Sequence, residues 1–72
     1  MAKIKFDIPQ QVNTKVIIYD ILGKEVSIPL NEKLKPGEYE IDLDSVKLSA
    51  GTYFYKLIID GHSETKKVLF KT

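Results

Sequence analysis

The chain has 72 residues, with 11 basic and 10 acidic side chains and no cysteine. This length predicts one domain, near the lower limit at which apolar packing keeps a chain folded, and without cysteine no disulfide can help. The net charge of +1 argues against the basic face that nucleic acid or anionic lipid requires, and no apolar run approaches the ~20 residues of a membrane helix.

The first third of the chain predicts three strands. Apolar and polar residues alternate over residues 4–8, and Pro9 ends that strand because it lacks a backbone donor. Residues 14–20 form a second strand that is apolar on both faces, and residues 25–30 form a third. Because Pro29 cannot donate to a neighbouring strand, we place the third strand at a sheet edge.

The middle of the chain predicts a turn, a strand and a connection. Pro36 and Gly37 have the signature of a type II turn, and residues 38–43 then show the cleanest alternation in the chain. Residues 44–51 are expected to form a connection with one helical turn, held down by Val46 and Leu48.

The end of the chain predicts a hairpin. Residues 52–60 form a long aromatic strand, Asp60 and Gly61 form a tight turn, and residues 63–71 form the last strand. No segment shows the periodicity of an amphipathic helix, so the chain predicts an all-β fold.

The expected architecture is an immunoglobulin-like or fibronectin-III-like β-sandwich of six to seven antiparallel strands in two sheets. We expect the first strand to pair with the fourth, and the other four to form the second sheet with the second and fifth at its centre. Tyr53 is a candidate tyrosine corner, its hydroxyl bonded to the backbone of the preceding loop. The predicted core consists of Ile4, Phe6, Val16, Ile18, Val26, Ile28, Tyr39, Ile41, Tyr53, Tyr55, Leu57, Val68 and Phe70.

The sequence offers no catalytic, cofactor or metal site. His62, the one histidine, is close to Asp60 and Ser63 in or beside a tight turn, where neighbouring residues cannot adopt the geometry of a catalytic triad. A single histidine without cysteine also excludes ordinary zinc sites. We therefore interpret His62 as a solvated turn residue and the chain as non-enzymatic.

Charged residues cluster in two places. The fourth strand and the residue that follows it carry an acidic stripe, which consists of Glu38, Glu40, Asp42 and Asp44. It could bind calcium or supply two catalytic carboxylates, but alternate strand residues lie ~7 Å apart without a ligand loop. We instead expect pairing with Lys3 and Lys5 on the neighbouring strand. Lys66, Lys67 and Lys71 near the C-terminus are interpreted as edge lysines that discourage aggregation.

Four apolar side chains fall on faces opposite to the predicted core: Ile17, Tyr19, Phe54 and Ile58. If their strands are neighbours, these residues form an exposed patch of the kind that binds a partner. Alternatively, long side chains such as Lys56 and Lys67 cover the patch.

Four short motifs follow one another along the chain. They are residues 20–26 (DILGKEV), 36–37 (PG), 48–57 (LSAGTYFYKL) and 63–71 (SETKKVLFK). In this order they resemble the C-terminal sorting domain, type A, of proteins exported by the type IX (Por) secretion system. The resemblance covers residues 4–71.

The resemblance implies a non-catalytic domain that directs a larger secreted or surface protein through the type IX system. Its implied partners are the outer-membrane translocon, a sortase-like peptidase that cleaves the domain afterwards, and an N-terminal cargo domain. Export would pass through the periplasm to the cell surface or the medium, without membrane insertion or nucleic acid. The residues that match the family's signal motifs are Pro36, Gly37, Gly51, Tyr53, Lys67 and Lys71.

The bounds of the domain and its alternative function are the two points that the sequence leaves open. We interpret Met1 and Ala2 as residues added ahead of a domain that spans residues 3–72. An additional first strand found in the family is absent before Ile4, and a homodimer of the isolated domain could close the resulting open edge.

The alternative function is a structural or carbohydrate-binding accessory domain of a secreted polysaccharide-degrading enzyme, with Tyr19 and Phe54 as the candidate sugar platform.

Overall fold

A computed structural model describes residues 3–42 and 48–70 of the chain. The described residues form six strands: β1 (Lys3–Ile8), β2 (Val12–Tyr19), β3 (Glu25–Leu34), β4 (Gly37–Asp42), β5 (Gly51–Ile59) and β6 (His62–Phe70). The prediction of an all-β chain is confirmed. Among these residues no helix is long and apolar enough to span a bilayer.

The strands form two antiparallel sheets, as an immunoglobulin-like sandwich requires. β1 pairs with β4, and the other sheet has the order β3-β2-β5-β6. The predicted pairing of the first and fourth strands and the central position of the second and fifth are therefore confirmed. The edge position of β3, predicted from Pro29, is confirmed as well.

Two strands are longer than the alternation predicted. β2 begins at Val12 and β3 continues to Leu34, and these two residues are register partners. Both are buried and pack with Ile8 in a small cluster at this end of the sandwich. Burial of this apolar group is the reason that pairing continues past the point where the sequence pattern weakens.

The prediction of a type II turn at Pro36 and Gly37 is wrong. Gly37 is the first residue of β4, where it pairs with Ile8, and its φ is 150°. The third residue of a type II turn needs a φ near +80°. Instead of closing a hairpin, Lys35 and Pro36 carry the chain from β3 in one sheet to β4 in the other.

The connection after β4 lies mostly outside the described residues. These exclude residues 43–47, so the predicted helical turn and Val46 fall outside them, as do Asp44 and the predicted strand ends at 43 and 71. Leu48 is described, and it packs against the main core cluster, as predicted.

The main core lies between the sheets. Ile4 of β1 packs on Val16 and Ile18 of β2 and on Phe70 of β6. We call the side of the four-stranded sheet that carries these residues its inner face. The two-stranded sheet covers this face incompletely, so the inward residues of β5 are only half-buried.

The prediction that Val26 and Ile28 belong to the core is wrong. Val26 is 38% exposed and Ile28 is 42% exposed. From Val16 to Tyr19, β2 advances by three residues, but the paired stretch of β3 advances by five. The two additional residues of β3 are inserted at two separate register shifts. Each additional residue is a β-bulge that breaks the alternation, so β3 cannot keep all its apolar side chains on the inner face.

Candidate functional site

The residues matched to the family's signal motifs lie at opposite ends of the sandwich. Pro36 and Gly37 lie where β4 begins, beside the end of β1. Gly51 begins β5 at the other end, where it pairs with Phe70. The molecule is 34 Å along its longest axis. The structure thus does not bring Pro36 and Gly37 together with Gly51 and Tyr53.

Lys67, one of the two predicted signal lysines, lies near the Gly51 end of β6. Lys67 is exposed and lies directly opposite Phe54 in the β5–β6 register. Lys71 lies outside the described residues.

The tyrosine corner predicted at Tyr53 is confirmed. The Tyr53 hydroxyl donates a hydrogen bond of 2.9 Å to the carbonyl oxygen of Ser49, four residues earlier. Its ring meets Phe70 edge-to-face, with 5.1 Å between centroids and 68° between ring planes. These two contacts fasten the loop before β5 to the core.

A second tyrosine corner, which the sequence analysis missed, lies at the other end. The Tyr39 hydroxyl donates a hydrogen bond of 2.6 Å to the carbonyl oxygen of Lys35, again four residues earlier. The Tyr39 ring stacks on Phe6, with 5.8 Å between centroids. The signal was present in the sequence, because both tyrosines follow a glycine by two positions.

These two glycines have a backbone conformation that other residues rarely adopt. The φ of Gly37 is 150° and that of Gly51 is 154°. A Cβ atom placed on either one would lie 4.0 or 3.9 Å from the following tyrosine ring. The ring therefore lies over the glycine without a clash, and the conformation is the reason for glycine there.

The predicted partner patch lies on the outer face of the four-stranded sheet, opposite the inner face. Tyr19 is directly opposite Phe54, and Ile17 is directly opposite Lys56. Ile17 is only 5% exposed, and its register partner is Lys56, a residue whose long aliphatic stem is able to cover an apolar neighbour. Tyr19, Phe54 and Ile58 are half-buried. Part of the patch is thus covered, and the Tyr19–Phe54 row remains accessible.

Among the described residues, the most exposed apolar side chains lie in the turn between β2 and β3. Leu22 is 88% exposed and Ile21 is 67% exposed. The Asp20 carboxylate accepts hydrogen bonds of 2.9 Å from the backbone N–H groups of both Leu22 and Lys24. This Asx-type bonding makes the turn well defined, so it holds two apolar side chains in solvent.

The sequence motif at residues 20–26 includes this turn, but it did not predict that Ile21 and Leu22 are exposed. The signal was an apolar pair inside a polar turn ended by Gly23, whose φ is 85°. On the outer face at the same end of the sheet, Leu69 is 55% exposed. We call Ile21, Leu22, Lys67 and Leu69 the turn-end surface.

One residue of the acidic stripe, Glu40, pairs with the two predicted lysines of β1. The Glu40 carboxylate lies 3.3 Å from the Lys3 amine and 3.8 Å from the Lys5 amine. All three side chains are well exposed, so the pairs add little stability. On β6 the hydrogen bond to Glu64, together with its charge, raises the pKa of Lys66 above its usual value.

The described residues contain no group of three histidine, aspartate or glutamate side chains that could hold a metal ion. His62 is exposed at the start of β6, directly after the turn residues Asp60 and Gly61. The tyrosines at the two ends of the sandwich fasten loops to it through their hydroxyl groups. The charged side chains of the acidic stripe and of β1 lie on its surface.

Comparison with known proteins gives one finding. The family model described as a secretion system C-terminal sorting domain matches residues 1–71 of this chain. No curated protein and no solved structure matches the chain.

Proposed function

Because the chain belongs to the family of secretion system C-terminal sorting domains, we propose that it is a non-catalytic address that carries a larger protein through the type IX secretion system. The observation that carries this proposal is a family match over nearly the whole chain, on a sandwich that its own tyrosines fasten at both ends. Such a domain acts by presenting a fixed shape to other proteins, and it makes or breaks no bond.

The proposed partners follow from this role. A cargo domain precedes Lys3, the outer-membrane translocon binds the folded sandwich, and a sortase-like peptidase then removes it. The cargo passes through the periplasm and reaches the cell surface or the medium. Lys3 begins β1 at the end where Phe70 closes β6, so the junction with the cargo would lie at the Gly51 end.

We propose that the turn-end surface is the part that the translocon recognises. Two of its apolar side chains, Ile21 and Leu22, are held by a hydrogen-bonded turn, so that binding them costs little ordering of the chain. It also lies at the same end as Lys3, which would bring the cargo junction close to the bound machinery. Pro36 and Gly37 at the other end would then act by stabilising the sandwich.

A reporter fusion tests the address. Residues 3–72 are joined to the C-terminus of a fluorescent protein that carries an inner-membrane signal peptide, in a host with the type IX system. The fusion should appear in the medium or at the cell surface. A double variant, Ile21→Ser with Leu22→Ser, should lower export by about tenfold, the effect of losing roughly 1.4 kcal/mol of binding.

The matched control for this fusion is Val26→Ser, which removes another exposed apolar side chain on the adjoining edge strand. It should leave export unchanged. Retention of the parent fusion in the periplasm would reject the address itself. Normal export of the double variant would reject only the role of the turn-end surface.

The accessory-domain alternative depends on one observation. Tyr19 and Phe54 lie side by side on the outer face and remain accessible, which is the arrangement a sugar platform needs. Specific binding to an immobilised glycan, lost in Phe54→Ala, would favour the carbohydrate-binding alternative.

A further inference from the structure

The free edge of β1 borders an open cavity. Among the residues that the structure describes, β1 pairs with β4 on one side and with no strand on the other. On its other side residues 4–7 line a cavity of about 350 Å³, together with Tyr55, Leu57 and Ile59 of β5. No residue of β4 lines this cavity, so it lies beside the unpaired backbone of β1.

The cavity has an apolar floor and a polar far wall. The floor consists of half-buried aromatic and aliphatic side chains of β1 and β5, among them Phe6 and Leu57. The far wall is the ion pair between Glu64 and Lys66 on β6, whose nitrogen and oxygen lie 3.2 Å apart. An apolar centre with a charged rim is the usual anatomy of a binding surface.

The free side of β1 faces a part of the four-stranded sheet that the two-stranded sheet does not cover. Adjacent strands lie about 4.8 Å apart, and the four-stranded sheet continues past β5 by only β6. A strand added to β1 would therefore lie above β6 and complete the two-stranded layer there.

The charges along β1 specify part of the ligand. Asp7 lies opposite Glu38 in the β1–β4 register, and neither carboxylate forms an ion pair with the described residues. Like charges directly opposite are unfavourable. A basic side chain beside Asp7 would relieve this pair, and an acidic one beside Lys5 would complement its amine.

We propose that the β1 edge binds one extended segment of a partner protein as an antiparallel third strand. The inward side chains of this segment are apolar and cover Phe6 and Leu57. Its outward side chains place a lysine or arginine opposite Asp7 and a carboxylate opposite Lys5. Backbone hydrogen bonds to β1 supply affinity, and the alternate side chains supply specificity.

A second copy of this chain does not fit the site. Two β1 strands paired antiparallel are related by a two-fold axis perpendicular to the sheet, which puts both four-stranded sheets on the same side. Since β5 and β6 line the space beside the β1 edge, the β6 strands of the two copies would compete for it.

The test uses the 72-residue chain and a synthetic peptide, acetyl-TVKIEVT-amide, whose lysine falls opposite Asp7 in the proposed register. Amide shifts in ¹⁵N spectra should change along β1 and at Tyr55, Leu57 and Lys66, and saturate at millimolar peptide. The peptide acetyl-TVEIEVT-amide should bind about two- to tenfold more weakly, as expected for exchanging an opposite for a like cross-strand charge.

The variant Asp7→Lys should reverse this preference between the two peptides. It should also stay folded, because the new side chain faces Glu38. Glu25→Lys makes the same charge change on β3, away from the groove, and should keep the parent preference.

Three results would each overturn the proposal. One is no saturable shift along β1. Another is an unchanged peptide preference in Asp7→Lys. The third is a dimer of the peptide-free chain in sedimentation, with shifts along β1 on dilution, since a second copy would then occupy the edge. None of these results depends on secretion, so the test is separate from the reporter experiment.

Discussion

Replacing Ile18 with alanine should lower the free energy of unfolding by about 2–5 kcal/mol. Ile18 lies in the central strand β2, is fully buried and packs with Val16 in the main core cluster. Proteins are stabilised by only about 5–15 kcal/mol, and small domains by less than large ones. The variant should therefore be partly unfolded at moderate temperature.

The measurement for Ile18→Ala is urea unfolding followed by far-UV circular dichroism and tyrosine fluorescence, since the chain has no tryptophan. The matched control is Ile21→Ala, which removes the same atoms from a side chain that is 67% exposed. Its unfolding free energy should change by less than about 0.5 kcal/mol. Equal losses for both variants would contradict the core assignment of β2.

The second large effect is expected at the glycines beneath the two tyrosine corners. Gly37→Ala and Gly51→Ala should each cost about 1–3 kcal/mol, because alanine must adopt a backbone region that is nearly restricted to glycine. Their φ values are 150° and 154°. Because the glycines lie at opposite ends of the sandwich, the double variant should lose about the sum of the two costs.

Thermal and urea unfolding of the two single variants and the double variant measure these losses. Ala50→Gly is the matched control, since Ala50 is an exposed residue directly before Gly51. It should change stability by less than about 1 kcal/mol. A loss below about 0.5 kcal/mol for both glycine variants would show that other residues tolerate these positions.

The two tyrosine corners each fix one loop of the sandwich with a single side chain. Each tyrosine combines a hydroxyl bond to a loop carbonyl with a ring contact to a phenylalanine. A chain without disulfides and of this length has few other means to fix loops at both ends. The fixed ends are also what a sorting domain would offer to a partner that recognises shape.

The candidate site could be predicted only in part. Tyr53 was recognised as a corner because its environment is local: the loop carbonyl that it bonds is four residues away. Tyr39 has the same spacing from its carbonyl, but the apparent turn at Pro36 and Gly37 concealed it. Exposure of Leu22 could not be deduced, because a turn residue can point outward or be covered by another part of the chain.

The sequence by itself determined the six strands, the edge position of β3 and the partnership of β1 with β4. These follow from side-chain alternation, from the missing donor of Pro29 and from complementary charges, which are properties of neighbouring residues. Only the tertiary structure decided that Val26 and Ile28 are exposed and that Ile17 is buried. Burial depends on bulges and on which layer covers which strand, and both are set by packing between segments far apart in the chain.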